Sequence, residues 1–181
     1  MRYNPEKHHR KSIRIPDYDY TQEGWYYVTI CVNKHKCLLG EVVEDKMILN
    51  QFGIIADEKW QWLENQYNYI KLDKWQIMPN HMHGIIGFIG SCSGSRTAPT
   101  KYKPLGRIIG AFKTVSTKTI NKIKHSPGER FWQRDFWEHI IRNEQELNRI
   151  RSYIIRNPEK WHHNVNFWIP ARAPFHGTWP G

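Results

Sequence analysis

Two runs near the middle of the chain, YIKLDKWQIM (69–78) and HMHGIIGFI (81–89), are separated only by Pro79 and Asn80. Both have strand character, and a two-residue break joins antiparallel strands, since a parallel pair needs a crossover of about a dozen residues or more. An antiparallel hairpin at the centre of the chain therefore constrains everything around it. Strand alternation places His81 and His83 on one face, with Met82 pointing away. Two imidazoles about 7 Å apart along a strand can converge on one ion, and imidazole suits Mn, Zn, Ni or Fe. The same H-x-H pattern also occurs as ordinary strand histidines, which need hydrogen-bond partners when buried.

The flanking segments supply the other elements. WYYVTICV (25–32) is aromatic and β-branched, and reads as a strand. EVVEDKMILN (41–50) reads as a short hairpin turning at Glu44-Asp45. From Asn50, a plausible cap, the spacing of Phe52, Ile55, Ala56, Trp60 and Leu63 predicts a helix. Residues 90–104, GSCSGSRTAPTKYKP, are small and polar and are expected to form a flexible loop inside one domain. LGRIIGAFKTVSTKTINKIK then places Ile108, Phe112, Val115 and Ile123 on one helical stripe, with Arg107, Lys113, Lys118, Lys122 and Lys124 largely outside it. FWQRDFWEHIIRN (131–143) reads as a strand, followed by a helix with Asn143 and Glu146 in capping-box register and Pro158 as its stop. The order β-(hairpin)-α-β-β-α-β-α, without internal repeat, describes an α+β fold: a split βαβ, ferredoxin-like or RRM-like antiparallel sheet with helices packed on one face. The expected organisation is a basic arm over residues 1–24, one domain over 25–160 and an irregular tail over 161–181.

Charge narrows the partners. With 27 Lys+Arg against 17 Asp+Glu, the 181 residues carry a net charge of +10, a surface suited to polyanions and first of all to nucleic acid. Nine Trp and nine Tyr, interleaved with these cations, also suit stacking on unpaired bases. The three cysteines have no C-x-x-C spacing, which fits a reducing cytoplasm. No apolar run approaches the roughly 20 residues of a membrane span, and the N-terminus lacks a signal-peptide core.

On the C-terminal helix, Tyr153 and Asn157 are four residues apart and share a face. Tyr153 lies at the edge of the Leu147, Ile150 and Ile154 stripe, so its hydroxyl need not be buried. Asn157, just before Pro158, offers an amide oxygen at the helix end.

These residues carry a family resemblance. The chain resembles the single-tyrosine transposases of the HUH superfamily, in which two histidines flank one hydrophobic residue, and more closely the REP-associated tyrosine transposases. The carrying stretches are SIRIPDYDYTQEGWYYVTICV, WQIMPNHMHGII, GAFKTVSTKTIN, FWQRDFWEHIIRN and IRSYIIRNP, in that order, over most of residues 12–160. The resemblance implies that His81 and His83 are metal ligands and Asn157 a third, for Mg²⁺ or Mn²⁺, and that Tyr153 is the nucleophile. It implies a cytoplasmic, nucleoid-associated bacterial enzyme that nicks and joins single-stranded DNA beside hairpin (REP-like) elements through a covalent 5′-phosphotyrosine. Family members are often dimers, sometimes with the tyrosine helix serving the partner's histidines. Arg14, Arg107, Lys113, Lys118, Arg134, Arg142 and Arg149, with Arg151, are the expected backbone contacts, which together predict steep salt dependence. His139 is expected to be a hydrogen-bonded structural residue.

Two other readings stand beside this one. A non-catalytic RRM-like module would hold structured single-stranded nucleic acid without cleaving it. A histidine-only metallohydrolase needs a further histidine or carboxylate near the pair, and Ile85 occupies the place that the histidine-triad hydrolases give to histidine.

Overall fold

The computed structural model describes residues 22–89 and 102–161. The elements follow in the order β1 (Gly24–Cys31), β2 (Gly40–Val43), β3 (Lys46–Leu49), α1 (Gln51–Gln66), β4 (Ile70–Met78), β5 (His81–Phe88), α2 (Leu105–Ile123), β6 (Trp137–Ile141) and α3 (Glu144–Ile155). Arg14, Cys92, most of the N-terminal arm, loop residues 90–101 and tail residues 162–181 lie outside the described residues.

The sheet order is β4-β5-β1-β6, and every neighbouring pair is antiparallel. This is the split βαβ arrangement expected of the element order, with β2-β3 as a separate hairpin. Its turn is at Glu44 and Asp45, whose φ values of 48° and 59° give the two left-handed residues that a two-residue hairpin needs to match strand twist.

One face of the sheet presents Tyr26, Val28 and Ile30 of β1, Met82, Ile86 and Phe88 of β5, and Ile70, Leu72 and Ile77 of β4. These pack on Ile55, Ala56, Trp60 and Leu63 of α1 and on Leu105, Ile108, Ile109, Phe112 and Ile120 of α2. The opposite face presents Tyr27, Ile85 and Ile141 to Leu147, Ile150 and Ile154 of α3. The expectation of helices on one face thus holds for α1 and α2, whereas α3 lies on the other. All eight residues of β5 are buried, so the strand has two faces to cover, and one helical layer covers only one.

Gly84 sets the depth at which β5 lies on α1. A Cβ there would come within 2.5 Å of Cζ2 of Trp60, which is fully buried. The indole therefore packs directly against strand backbone, one residue from His83.

Local signals behave largely as their chemistry dictates. The Asn50 side chain accepts from the N–H groups of Phe52 (2.9 Å) and Gly53 (3.1 Å), capping α1. Asn143 accepts from Glu146 N–H at 2.8 Å, but the Glu146 carboxylate turns to Arg142 N–H (2.8 Å) and His139 Nε2 (2.7 Å), so the capping box is half closed. Two expectations need correction. The buried residues of α2 are Leu105, Ile108, Ile109, Phe112, Ser116, Ile120 and Asn121, while Val115 is only partly buried and Ile123 is exposed. The stripe tracks Ser116 because its hydroxyl accepts the buried Trp132 indole N–H at 2.8 Å. The strand expected over 131–143 is confined to Trp137–Ile141. Upstream, Trp132 makes an isolated antiparallel bridge with Val32, and the break between it and β6 falls where the Lys113 ammonium donates to the carbonyls of Gln133 (2.9 Å), Arg134 (3.3 Å) and Asp135 (2.9 Å).

Candidate active site

Register brings the candidate residues together. β1 and β5 pair Tyr27 with Ile85, Thr29 with His83 and Cys31 with His81, so alternation puts all six on the face that α3 covers. His81 and His83 are buried, at 1% and 5% exposure. Their Nε2 atoms face each other 3.1 Å apart. Each Nδ1 is turned outward to the protein: that of His81 donates to Asn80 Oδ1 (2.6 Å), and that of His83 meets the Thr29 hydroxyl (2.9 Å) and the Tyr27 hydroxyl (2.7 Å).

This pattern sets the tautomers. The Asn80 oxygen only accepts, so His81 carries its proton on Nδ1 and presents a bare lone pair at Nε2. His83 Nε2–H then donates to His81, and its Nδ1 accepts from a hydroxyl. Hydroxyls donate or accept, so Tyr27 and Thr29 also support the opposite His83 tautomer, in which both Nε2 lone pairs converge. Burial pushes His81 well below the usual histidine range, with His83 and His35 nearby adding to it. Burial alone pushes His83 down to about 3. Both rings are therefore neutral near pH 7, the form in which imidazole binds a cation.

The Tyr153 ring lies 5.4 Å from the His83 ring, centroid to centroid, and 6.3 Å from that of Tyr27, edge-on in each case. Tyr27 and Tyr153 are also hydrogen-bonded through their side chains; burial first, and Tyr153 second, raise the Tyr27 phenol well above its usual value. Past the helix end, the Trp161 ring stands 6.1 Å from His81. Asn157, between Tyr153 and Trp161 in sequence but past the end of α3, is buried at 9% exposure. Among the described residues no group of three His, Cys, Asp or Glu side chains forms, which leaves an amide as the third protein donor the sequence suggests. The Arg151 guanidinium clamps α3 to β4, donating from Nε (2.8 Å) and Nη2 (2.5 Å) to Asp73 Oδ2. Asp73 stands in the β4 irregularity between Leu72 and Trp75.

The residues expected to contact DNA differ in their surroundings. Arg151 pairs with Asp73 and Glu144, and the Lys113 ammonium donates to backbone carbonyls. Lys118 and Arg134 are exposed on one groove beside α2. Arg107 is exposed in the first turn of α2, Arg142 is exposed just before α3, and Arg149 is exposed in the middle of α3. His139 is bonded to Glu146, the structural role expected of it.

Sequence reasoning did not single out Tyr27, Thr29, Asn80 and Trp161. Alternation in WYYVTIC already puts Tyr27 and Thr29 on one face, but only the register with β5 sets that face beside His83. Asn80 was visible only as a turn residue adjacent to His81.

No family model matches the chain. An uncharacterized protein of Haemophilus influenzae is 34% identical over 171 residues, covering 88% of this chain and 94% of that one. Among solved structures, a REP-associated tyrosine transposase bound to a REP hairpin aligns with a TM-score of 0.58 at 19% identity, covering 83% of this chain and 74% of that one. The shared fold is the antiparallel four-stranded sheet with three helices.

Proposed function

We propose that this chain, which belongs to one family with the Haemophilus influenzae protein, is a metal-dependent transposase-type enzyme that nicks and rejoins single-stranded DNA beside a hairpin. The observation that carries the reading is the packing of the Tyr153 ring against His83, whose Nε2 faces that of His81 at 3.1 Å. A phenol, two converging imidazoles and an amide at the helix end are the donors this chemistry needs.

The residues fit a divalent cation. Two neutral imidazoles whose Nδ1 atoms are held by the protein, plus the Asn157 amide oxygen, leave the full charge of Mg²⁺ or Mn²⁺ for a phosphate. Such an ion would polarise the phosphodiester and offset charge developing on its oxygens. The Tyr153 phenol attacks phosphorus and loses its proton; the P–O3′ bond breaks, leaving a 5′-phosphotyrosine and a free 3′-hydroxyl. A 3′-hydroxyl reverses the step, because the ester formed resembles the bond broken. Tyr27 holds both Tyr153 and His83, and Trp161 closes over His81. The hairpin substrate follows from the likeness to the hairpin-bound transposase and from the basic surface, and a homodimer is proposed on the resemblance alone.

The test is a denaturing-gel assay with labelled hairpin oligonucleotides bearing unpaired flanks, with Mg²⁺ or Mn²⁺. The wild-type chain is expected to form a denaturation-resistant adduct, and Tyr153→Phe none. Adduct at wild-type yield with Tyr153→Phe would overturn the assignment of the nucleophile. Hairpin binding indifferent to metal, with no cleavage of any hairpin from the genomic neighbourhood, would instead establish the non-catalytic module.

A further inference from the structure

The candidate site has two ends, set by the register of β1 on β5. Along β1, Tyr27 stands 6.3 Å from Tyr153, ring to ring; Thr29 then pairs with His83, and Cys31 with His81. Tyr153 accordingly packs at the His83 end, with ring centroids 5.4 Å apart. Trp161 stands at the His81 end, 6.1 Å from that ring and tilted by 37°. The facing Nε2 atoms lie between the two aromatic residues.

The backbone that carries Trp161 is fixed at several points. α3 ends at Ile155, and a 3₁₀ turn over Pro158–Lys160 leads to Trp161. Lys160 N–H donates to Asn157 O at 3.2 Å, and Trp161 N–H to Pro158 O at 3.1 Å. Asn157 and Pro158 are buried, and the turn lies against β3 of the separate hairpin. Trp161 itself is only partly buried, whereas His81 beside it is at 1% exposure. An indole anchored at the rim of a buried site, with part of its surface open, is a platform on which an unpaired base stacks.

The chemistry of displacement decides which base that is. Attacking and leaving oxygens lie roughly in line, on opposite sides of phosphorus. With the Tyr153 phenol at the His83 end, O3′ departs towards the His81 end, and the nucleotide that carries it is brought beside Trp161. We infer that Trp161 stacks on the base immediately 5′ of the scissile phosphate and holds that nucleotide before and after the cut. A base kept there leaves its 3′-hydroxyl beside the bond to be remade, which the rejoining step requires.

The inference takes its polarity from the DNA-nicking reading, but the stacking is tested by binding alone. Fluorescence anisotropy in a Tyr153→Phe background without metal would use a hairpin with unpaired flanks, each flank nucleotide in turn being made abasic. The cut is mapped separately with the wild-type chain and Mn²⁺. Two variants are compared with the parent, melting temperatures included: Trp161→Leu keeps apolar bulk over His81, and Trp161→Phe keeps an aromatic face. Trp161→Leu is expected to bind the intact probe about tenfold more weakly, and Trp161→Phe within about threefold of the parent. On the probe abasic just 5′ of the cut, the gap between Trp161→Leu and its parent should close to within about twofold, and at the other abasic positions it should persist. Intact-probe binding unchanged by Trp161→Leu would overturn the inference. So would a gap that persists at every position, or one that closes only 3′ of the cut. If the wild-type chain forms no adduct, the nicking reading falls; a gap that closes at a single flank position still establishes the stacked base, and one that closes nowhere removes it.

Discussion

The Tyr27 hydroxyl lies 2.7 Å from His83 Nδ1 and is hydrogen-bonded to Tyr153, so one buried phenol ties a candidate ligand to the candidate nucleophile. Thr29 shares the first of these contacts at 2.9 Å. Partners that orient a metal-binding imidazole typically alter affinity by about 10–100-fold when removed. Tyr27→Phe is therefore expected to weaken Mn²⁺ binding by about tenfold, read by calorimetry on the DNA-free protein, with a further loss when combined with Thr29→Val. The ring that packs against Ile85 and α3 is retained, so the melting temperature should change little. Unaltered Mn²⁺ affinity in the double variant would remove the two hydroxyls from the site.

Acid should unfold the chain through the histidine pair. His83 is held down to about 3 and His81 well below its usual value, whereas in the unfolded chain both titrate near 6.5. Between those values the unfolded state binds more protons, so stability rises with pH across that window and is level, for these groups, above about 6.5. The slope is roughly 1.4 kcal/mol per pH unit for each group while only the unfolded form is protonated. Melting temperatures measured from pH 7.5 to 4 should fall below pH 6.5, and His83→Gln should flatten that fall. A parallel pH profile in the variant would place the acid sensitivity elsewhere.

The Arg151–Asp73 clamp is expected to act on catalysis more than on folding. Arg151 is about a third exposed and Asp73 largely buried, so the pair contributes about 1 kcal/mol rather than the larger figure of a dry pair. Arg151→Ala should lower the melting temperature by a few degrees. It should slow adduct formation several-fold, because the helix bearing Tyr153 loses its tie to β4. An adduct rate equal to wild type would show that the α3 apolar stripe alone positions the tyrosine.

Much of this architecture is legible in local sequence because its causes are local. The Pro79-Asn80 break between two strand-like runs dictates an antiparallel hairpin, Asn50 and Asn143 accept the N–H groups their positions leave unpaired, and Glu44-Asp45 turns as a two-residue loop must. The α2 stripe was shifted, and the strand before β6 shortened, by contacts between distant residues: Trp132 with Ser116 and Lys113 with three carbonyls. No periodicity in either segment encodes those partners.

The candidate site divides along the same line. Alternation along β5 placed His81 and His83 on one face by backbone geometry alone, whereas the helical spacing expected to carry Tyr153 and Asn157 together stops short, since α3 ends at Ile155 and Asn157 stands in the turn before Pro158. That Tyr153 meets the histidines was decided by the sheet being apolar on both sides, which sends α3 over the histidines rather than alongside α1 and α2. The β1-β5 register then decided that Tyr27 and Thr29 hold His83, and the groove beside α2 assembled from residues up to 21 positions apart, from Lys113 to Arg134. The sequence by itself determined which side chains share an element's face. Which faces touch depends on how the whole chain buries its apolar surface, so only the tertiary structure could decide it.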